Sequence, residues 1–462
     1  MNVCSEGKTY RAERTKMQND FSKGKVWKNI IFQAVPLTIA QFVQLLYNVV
    51  DRIYIGHMGE GQSMALTGVG ITFPVITLIM AFTVLFGNGG VPLFSMARGA
   101  KEIEKAKRIQ GNSFFLLLAG AAVLMAVCYL FCEPVLFLFG ASRESYFYAK
   151  EYLHIYLLGT VFSMLTTGMN GYINAQGFPG IGMLTTVLGA VVNIILDPIF
   201  IFVLHLGVRG AALATIISQC ISCIWVLRFL WGRQADVRLE IGDIRPDART
   251  ILDIVRLGLA NFMVYGTNCA VQAACNTTLQ TYGGDLYVGV MTVLNSVREV
   301  CSLPVTGITH GAQPVVSFYY GAGEKEKVRE AIRFNTLLGG AYTLLTWIVV
   351  ILIPGFWCRI FTSDEGIIEA GVGAIHIYFF GFIFMALQFS GQSVFQALGD
   401  AKHAIFFSLL RKVIIVVPLT FLLPQMGFGV NGVFLAEPVS NVIGGSICFA
   451  VMWRSIYQKR LQ

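Results

Sequence analysis

The sequence predicts an all-α integral membrane protein, with twelve transmembrane helices in two six-helix bundles related by a pseudo-two-fold axis along the membrane normal. Three observations predict it. The 462-residue chain is 55% hydrophobic and only 13% charged, with a mean hydropathy of +0.66. Soluble domains carry about 25% charged residues, so a soluble globular chain is excluded. The apolar residues gather in twelve runs, each suited to a hydrocarbon core of roughly 30 Å. The second half of the chain also repeats the first at a constant spacing of 222 residues.

In order, the runs lie near 27–55, 65–97, 109–132, 146–173, 181–204 and 209–231, then 250–280, 286–318, 334–357, 367–397, 402–424 and 430–453. Residues 1–26 read as a cytoplasmic tail, 27–231 as the N-terminal lobe and 232–249 as a cytoplasmic linker. Residues 250–456 read as the C-terminal lobe and 457–462 as a second tail. The first 25 residues are basic and polar without an apolar stretch, so no cleaved signal peptide is expected. The linker, rich in Arg and Asp, reads as an amphipathic surface segment.

The net charge of +8 could suggest nucleic acid, but its distribution argues for topology instead. With the N-terminus inside, the 34 Lys and Arg fall in cytoplasmic clusters with six exceptions. Arg143, Arg209 and Arg359 lie outside, and Arg52, Lys150 and Arg298 lie within runs. The positive-inside rule therefore puts both termini in the cytoplasm of a cell (inner) membrane, with no nucleic-acid partner. Few basic residues remain for the spans themselves.

The repeat has three matches on one spacing. His154-Ile155-Tyr156-Leu157-Leu158-Gly159 returns as His376-Ile377-Tyr378-Phe379-Phe380-Gly381. Gly207-Val208-Arg209-Gly210 returns as Gly429-Val430-Asn431-Gly432, and Pro92, Ser95, Gly99 and Ala100 return as Pro314, Ser317, Gly321 and Ala322. Six runs per unit is an even number, so both halves run the same way through the membrane, as parallel repeats do. The paired His154 and His376 read as shared packing. Pro92 and Pro314 each lack an N–H and are expected to bend the second and eighth helices.

Ionisable residues inside runs mark function by default. Asp197 lies in the fifth run, where a carboxylate costs on the order of 2.5–3.5 kcal/mol on insertion scales. Asn193, four residues earlier, shares its helix face. The alternative is an Asp at the membrane surface, or one capping a helix broken by Pro198. Asp51 ends the first run. Two such acids close together in a low dielectric do not ionise together easily, so the pair suits a bound proton or cation. The ten cysteines are scattered, and Cys220-x-x-Cys223 sits mid-helix without a matching pair, which favours packing over metal or redox work. No metal motif, nucleophile elbow or phosphate loop stands out, so no catalytic residue, enzyme activity or cofactor is expected.

Two motifs carry a family resemblance. Thr306-Gly307-Ile308-Thr309-His310-Gly311-Ala312-Gln313-Pro314, running on to Gly321 and Ala322, resembles the eighth-helix motif of the multidrug and toxic compound extrusion (MATE) family. Tyr47-Asn48-Val49-Val50-Asp51-Arg52-Ile53-Tyr54-Ile55-Gly56 resembles its first helix, and the resemblance spans about residues 25 to 455. It implies two six-helix bundles, alternating access, and drug export coupled to inward H⁺ or Na⁺. It also implies a cation site inside the N-terminal bundle, built from Asp51, Gln44 and Tyr47, Asn170, Asn193 and Asp197, and Thr215, with Asp51, Asn193 and Asp197 as the Na⁺ ligands. Oxygen donors of this kind suit Na⁺ or a proton.

The second lobe departs from this pattern. Ala273 and Leu419, the repeat counterparts of Asp51 and Asp197, carry no charge. A C-lobe site would draw on Glu299, its neighbour Arg298, and Glu437, or these form a helix-packing ion pair. The 35 Phe, 17 Tyr, 6 Trp and 15 Met face lipid and helix interfaces, and some could line an adaptable cavity. The expected partners are small amphipathic or cationic substrates and the lipid bilayer, with the protein a monomer. The alternative is a lipid-linked or metabolite flippase or exporter of the same superfamily. The scarcity of basic residues in the spans argues against it.

Overall fold

The computed structural model describes residues 18–55, 62–139 and 142–461, and all twelve apolar runs are helical in it. The first half contains Val26–Ile55, Gln62–Phe86 resuming as Gly90–Gly99, Ile103–Leu130, Arg143–Leu158 resuming as Thr160–Ala175, Pro179–Pro198 and Val208–Trp231. The second half opens with Ala248–Gly321, which holds the seventh and eighth runs and is divided at Gly284. There φ is 67° and ψ is −165°, a conformation that only glycine adopts without strain. Lys325–Leu352, Glu365–Tyr378 with Met385–Ala397, Ala401–Leu409 with Val417–Leu423, and Gly429–Met452 complete it.

Among the described residues, seven helices are individually long and apolar enough to cross a membrane, or eight with the pair Glu365–Tyr378 and Phe382–Ala397, bent by 53°. One of the seven, Ala401–Arg460, is 60 residues long and contains both the eleventh and twelfth runs. The remaining spans are broken or more polar, as the first part of the fourth run shows with Arg143, Lys150 and Glu151 on one short helix.

The chain forms two compact units. One holds Ile39–Gly258 with residues 18–23, the other Gly24–Thr38 with residues 259–461. The linker therefore goes with the first unit, and the first helix, expected to belong whole to the lobe 27–231, is shared between the two. Its opening turns belong to the second unit because they meet the eighth span at close range. Asn29 donates to the Tyr319 hydroxyl at 2.8 Å, and a Cβ on Gly311 would lie 2.7 Å from the Ala34 backbone.

The repeat is visible as backbone geometry. Gly207 and Gly429 open the sixth and twelfth helices with φ 55°, ψ −129° and φ 53°, ψ −136°. Three residues on, Gly210 and Gly432 let each helix close on the backbone before it. A Cβ would meet Phe200 at 2.7 Å in one case and Pro424 at 2.7 Å in the other.

The expected bend at Pro92 lies elsewhere. The second helix breaks at Gly87–Gly89, and Pro92 falls in the first turn of the next segment, where its missing N–H costs nothing. The glycines allow the break, since a Cβ on Gly87 would lie 2.5 Å from Gly168. Pro314 does lie inside a helix, as expected.

The linker is also more than a surface segment. Ala235, Val237 and Leu239 are buried in the first unit's core. Gln176 clamps Val237 at both backbone groups, accepting from its N–H at 3.0 Å and donating to its carbonyl at 3.2 Å. Arg98 pairs with Asp236 at 3.0 Å. Alternate apolar residues supply this anchor, and the charges between them hid it from a reading by composition. At its end, Asp247 accepts from the Thr250 N–H and hydroxyl, bonds that hold its carboxyl below the ordinary range.

Candidate functional site

The fifth helix starts at Phe178-Pro179, where proline's fixed φ suits the first helical position. It runs apolar until Asn193 and Asp197, four apart and so one above the other on a single face. Pro198 then stops the regular pattern, and the chain widens into a π-helical turn over Ile199–Val203, with the Leu204 N–H donating to Ile199 at 2.9 Å. Asp197 is fully buried and Asn193 is 1% exposed. Asp197 is therefore a buried acid inside the helix, not a solvent-exposed cap.

Asn193 is the hub. Its Nδ2 lies 3.3 Å from Asp197 Oδ1 and 3.5 Å from Thr215 Oγ1 of the sixth helix. Thr215 in turn donates back to the Ala211 carbonyl at 3.0 Å, which fixes its rotamer. Asp51, on the first helix, is a hydrogen-bond neighbour of Asp197. Tyr47, one turn before Asp51, reaches Thr215 through its hydroxyl. Asp51, Asp197, Asn193, Thr215 and Tyr47 are thus brought together in one place.

Two predicted members stand apart. Gln44 is exposed and donates to Asn48 at 3.4 Å on its own helix. Gln44 lies seven residues, nearly two full turns, before Asp51, and its bond runs along its own helix. Asn170 donates to the Gly182 carbonyl at 3.1 Å, at the start of the fifth helix. Fifteen residues of helix separate Gly182 from Asp197, about 22 Å at 1.5 Å per residue. Asn170 therefore ties the fourth and fifth helices together at the far end.

In its place the fourth run supplies two tyrosines. Tyr152 and Tyr156 stack at a centroid distance of 5.9 Å, and both lie within electrostatic range of Asp51. Tyr156 is part of the repeated His-Ile-Tyr motif, so the signal was present in the sequence. The histidine of that motif is structural, because His154 and His376 each bond the carbonyl four residues back, at 2.9 and 2.8 Å.

Chemically, the site offers two carboxyl groups, an amide oxygen and several hydroxyls, with Asp197 and Asn193 buried and Asp51 half-buried. Two adjacent carboxylates repel strongly there, so one proton or one small cation between them relieves the repulsion. Asp197 Oδ2 and Asn193 Oδ1 are both buried without a hydrogen-bond partner among the described residues. Such acceptors are costly unless a proton donor or a cation fills the space. The donor set fits Na⁺ or H⁺.

In the second unit, Glu299 is exposed. Arg298 turns instead to Glu437, at 3.2 Å. The surprise is the eleventh helix. Arg411 and Lys412 fall at the end of a stretch read as cytoplasmic, yet both are in the bundle interior and bond Glu437 at 3.2 and 2.9 Å. They sit ten and eleven residues past Ala401, about 15 Å along the helix. The expectation of few basic residues in the spans is corrected here.

A family model described as MatE matches residues 36–199 and again 261–422, once in each half. The multidrug export protein MepA of Staphylococcus haemolyticus is 23% identical over 441 residues, 95% of each chain. A solved MATE in complex with MaL6 is similar with a TM-score of 0.89 at 23% identity, covering 96% of this chain and 99% of that one. A MATE solved in the bent conformation gives 0.89 at 24% identity, covering 94% and 96%.

Proposed function

Since the chain belongs to the MatE family, whose members here are membrane transporters, we propose that it is a secondary active antiporter. It exports amphipathic, often cationic compounds in exchange for inward H⁺ or Na⁺, by alternating access of its two lobes. One observation carries this reading: half-buried Asp51 beside fully buried Asp197, with Asn193 and Thr215 next to them. A packed core has no use for such a group, whereas a site that loads and unloads a cation does. When a proton or Na⁺ enters, the repulsion between the acids falls and the first helix rearranges its hydrogen bonds to them. The ion's downhill passage is thereby tied to the change of access. A relative solved in a bent conformation supports a fold that changes shape.

The orientation proposed is that of the charge count, with both termini in the cytoplasm. The test is uptake of ethidium by inverted membrane vesicles, with the pH and Na⁺ gradients imposed separately. Uptake driven by one gradient and abolished by collapsing it is expected. A second reading, a metabolite or lipid-linked exporter of the same superfamily, gains one observation: the basic residues once counted against it are present as Arg298, Arg411 and Lys412.

A further inference from the structure

The C-terminal bundle holds an ionic cluster that cation exchange in the other bundle does not use. Three cations converge on one oxygen, with Lys412 Nζ at 2.9 Å and Arg298 Nη1 and Arg411 Nη1 each at 3.2 Å from Glu437 Oε1. The side chains of Lys412, Glu437 and Arg411 are only 4%, 7% and 14% exposed. With Arg298 on the eighth span, Arg411 and Lys412 on the eleventh and Glu437 on the twelfth, the fold brings the four together in space and not by helix periodicity.

Charge and hydrogen bonding both leave a surplus. Three formal positive charges bond one carboxylate, with exposed Glu299 in electrostatic range of Arg298 as the second acid, and guanidinium groups stay protonated in any setting. Buried charge of this kind is expensive unless it is paired. Neutral acceptors take part of the load. Asn441 Oδ1 accepts from Arg411 at 2.8 Å, and Asn295 Oδ1 accepts from Arg298 at 3.4 Å and from the Tyr378 hydroxyl at 2.8 Å. Arg298 Nε remains buried with no hydrogen-bond partner among the described residues. Positive charge and an unused N–H donor are thus left over in the same place.

The repeat gives that place a meaning. Glu437 is the counterpart of Thr215 and Tyr378 of Tyr156, both at a spacing of 222 residues. The corresponding position in the first bundle carries the cation site, with two acids in excess. Here the excess has the opposite sign.

We propose that the Arg298–Arg411–Lys412 cluster is a binding site for a small organic anion, recognised through its carboxylate. The proposal rests on the transporter reading above and adds a substrate class to it: compounds that carry a carboxylate, whether anionic or zwitterionic. Two guanidinium forks match a planar two-oxygen group better than a point charge. The cluster already holds one carboxylate, that of Glu437, through its Oε1 alone.

The test is isothermal titration calorimetry of the full-length protein in nanodiscs with benzoate, and with benzamide as its uncharged isostere. Saturable benzoate binding is expected, with benzamide at least about tenfold weaker. Arg298→Gln, chosen because its side chain is 31% exposed, should weaken benzoate at least about tenfold while the melting temperature stays within a few degrees. Lys412→Met serves if that variant does not fold. Equal affinities for the two ligands, no binding of either, or benzoate affinity unchanged in the folded variants would make the cluster a packing element and overturn the site. Ethidium uptake is read separately. Benzoate binding without ethidium uptake keeps the site and removes the drug-export reading; uptake without benzoate binding does the reverse.

Discussion

Asp197 shows how much one residue can say. A carboxylate in the middle of an apolar run needs a partner, and its i−4 neighbour Asn193 was readable as that partner from spacing alone. Contacts between helices were not readable in this way. Gln44 sat at a plausible spacing from Asp51 yet is exposed, and Asn170 belongs to a helix junction. Arg411 and Lys412 were masked because a basic pair near a helix start looks cytoplasmic, and only the fold shows Glu437 beside them. These placements separate substitutions that the sequence groups together. Gln44→Ala should leave ethidium export within about twofold of the parent, since it loses one exposed hydrogen bond of little net worth. Tyr47→Phe removes the hydroxyl that reaches Thr215 and should slow export several-fold at equal abundance. Equal activity of the two variants would remove Tyr47 from the site.

At the scale of elements, the sequence located the spans but not their breaks. Twelve apolar runs became twelve helical stretches because hydrophobic length alone decides a span. The breaks depend on close approach, which hydropathy does not record: Gly87 against Gly168, not Pro92, sets the interruption of the second helix. The repeated Gly-x-x-Gly pairs were legible as a pattern, and the structure supplies their reason. Gly210→Ala and Gly432→Ala each force a methyl to within 2.7 Å of backbone on the preceding segment. Each should cost about 1–3 kcal/mol, the range for overpacking. Thermal unfolding followed by fluorescence-detected size exclusion measures this, and an unchanged transition in both variants would show that those helices are free to move apart. Gly180→Ala, where a Cβ meets nothing within 4 Å, is the control.

For the molecule as a whole, duplication and charge carried most of what was legible. The MatE model matches once in each half, as the 222-residue spacing implied. The linker and the first helix were harder, because their apolar residues answer to a three-dimensional core. Val237 is buried and Asn29 bonds Tyr319 across 290 residues of sequence. The proposed orientation puts Ala100 to Lys107 in the cytoplasm; its companion site, Gly59 to Gly61, lies outside the described residues. Single cysteines at Lys101 or Lys105, in a cysteine-depleted background, should react with an impermeant maleimide in inverted vesicles and not in intact cells. Reaction from the outside of intact cells would reverse the topology.

The central claim is that the Asp51–Asp197 pair couples ion entry to export, and Asp197→Asn tests it most directly. The amide keeps the volume and the neutral form of the group, so the variant should reach the membrane at normal abundance. Ethidium uptake by inverted vesicles should then fall to the passive level under either an imposed pH or an imposed Na⁺ gradient. Uptake that persists against a concentration gradient, with the parent's dependence on the same ion, would contradict the account.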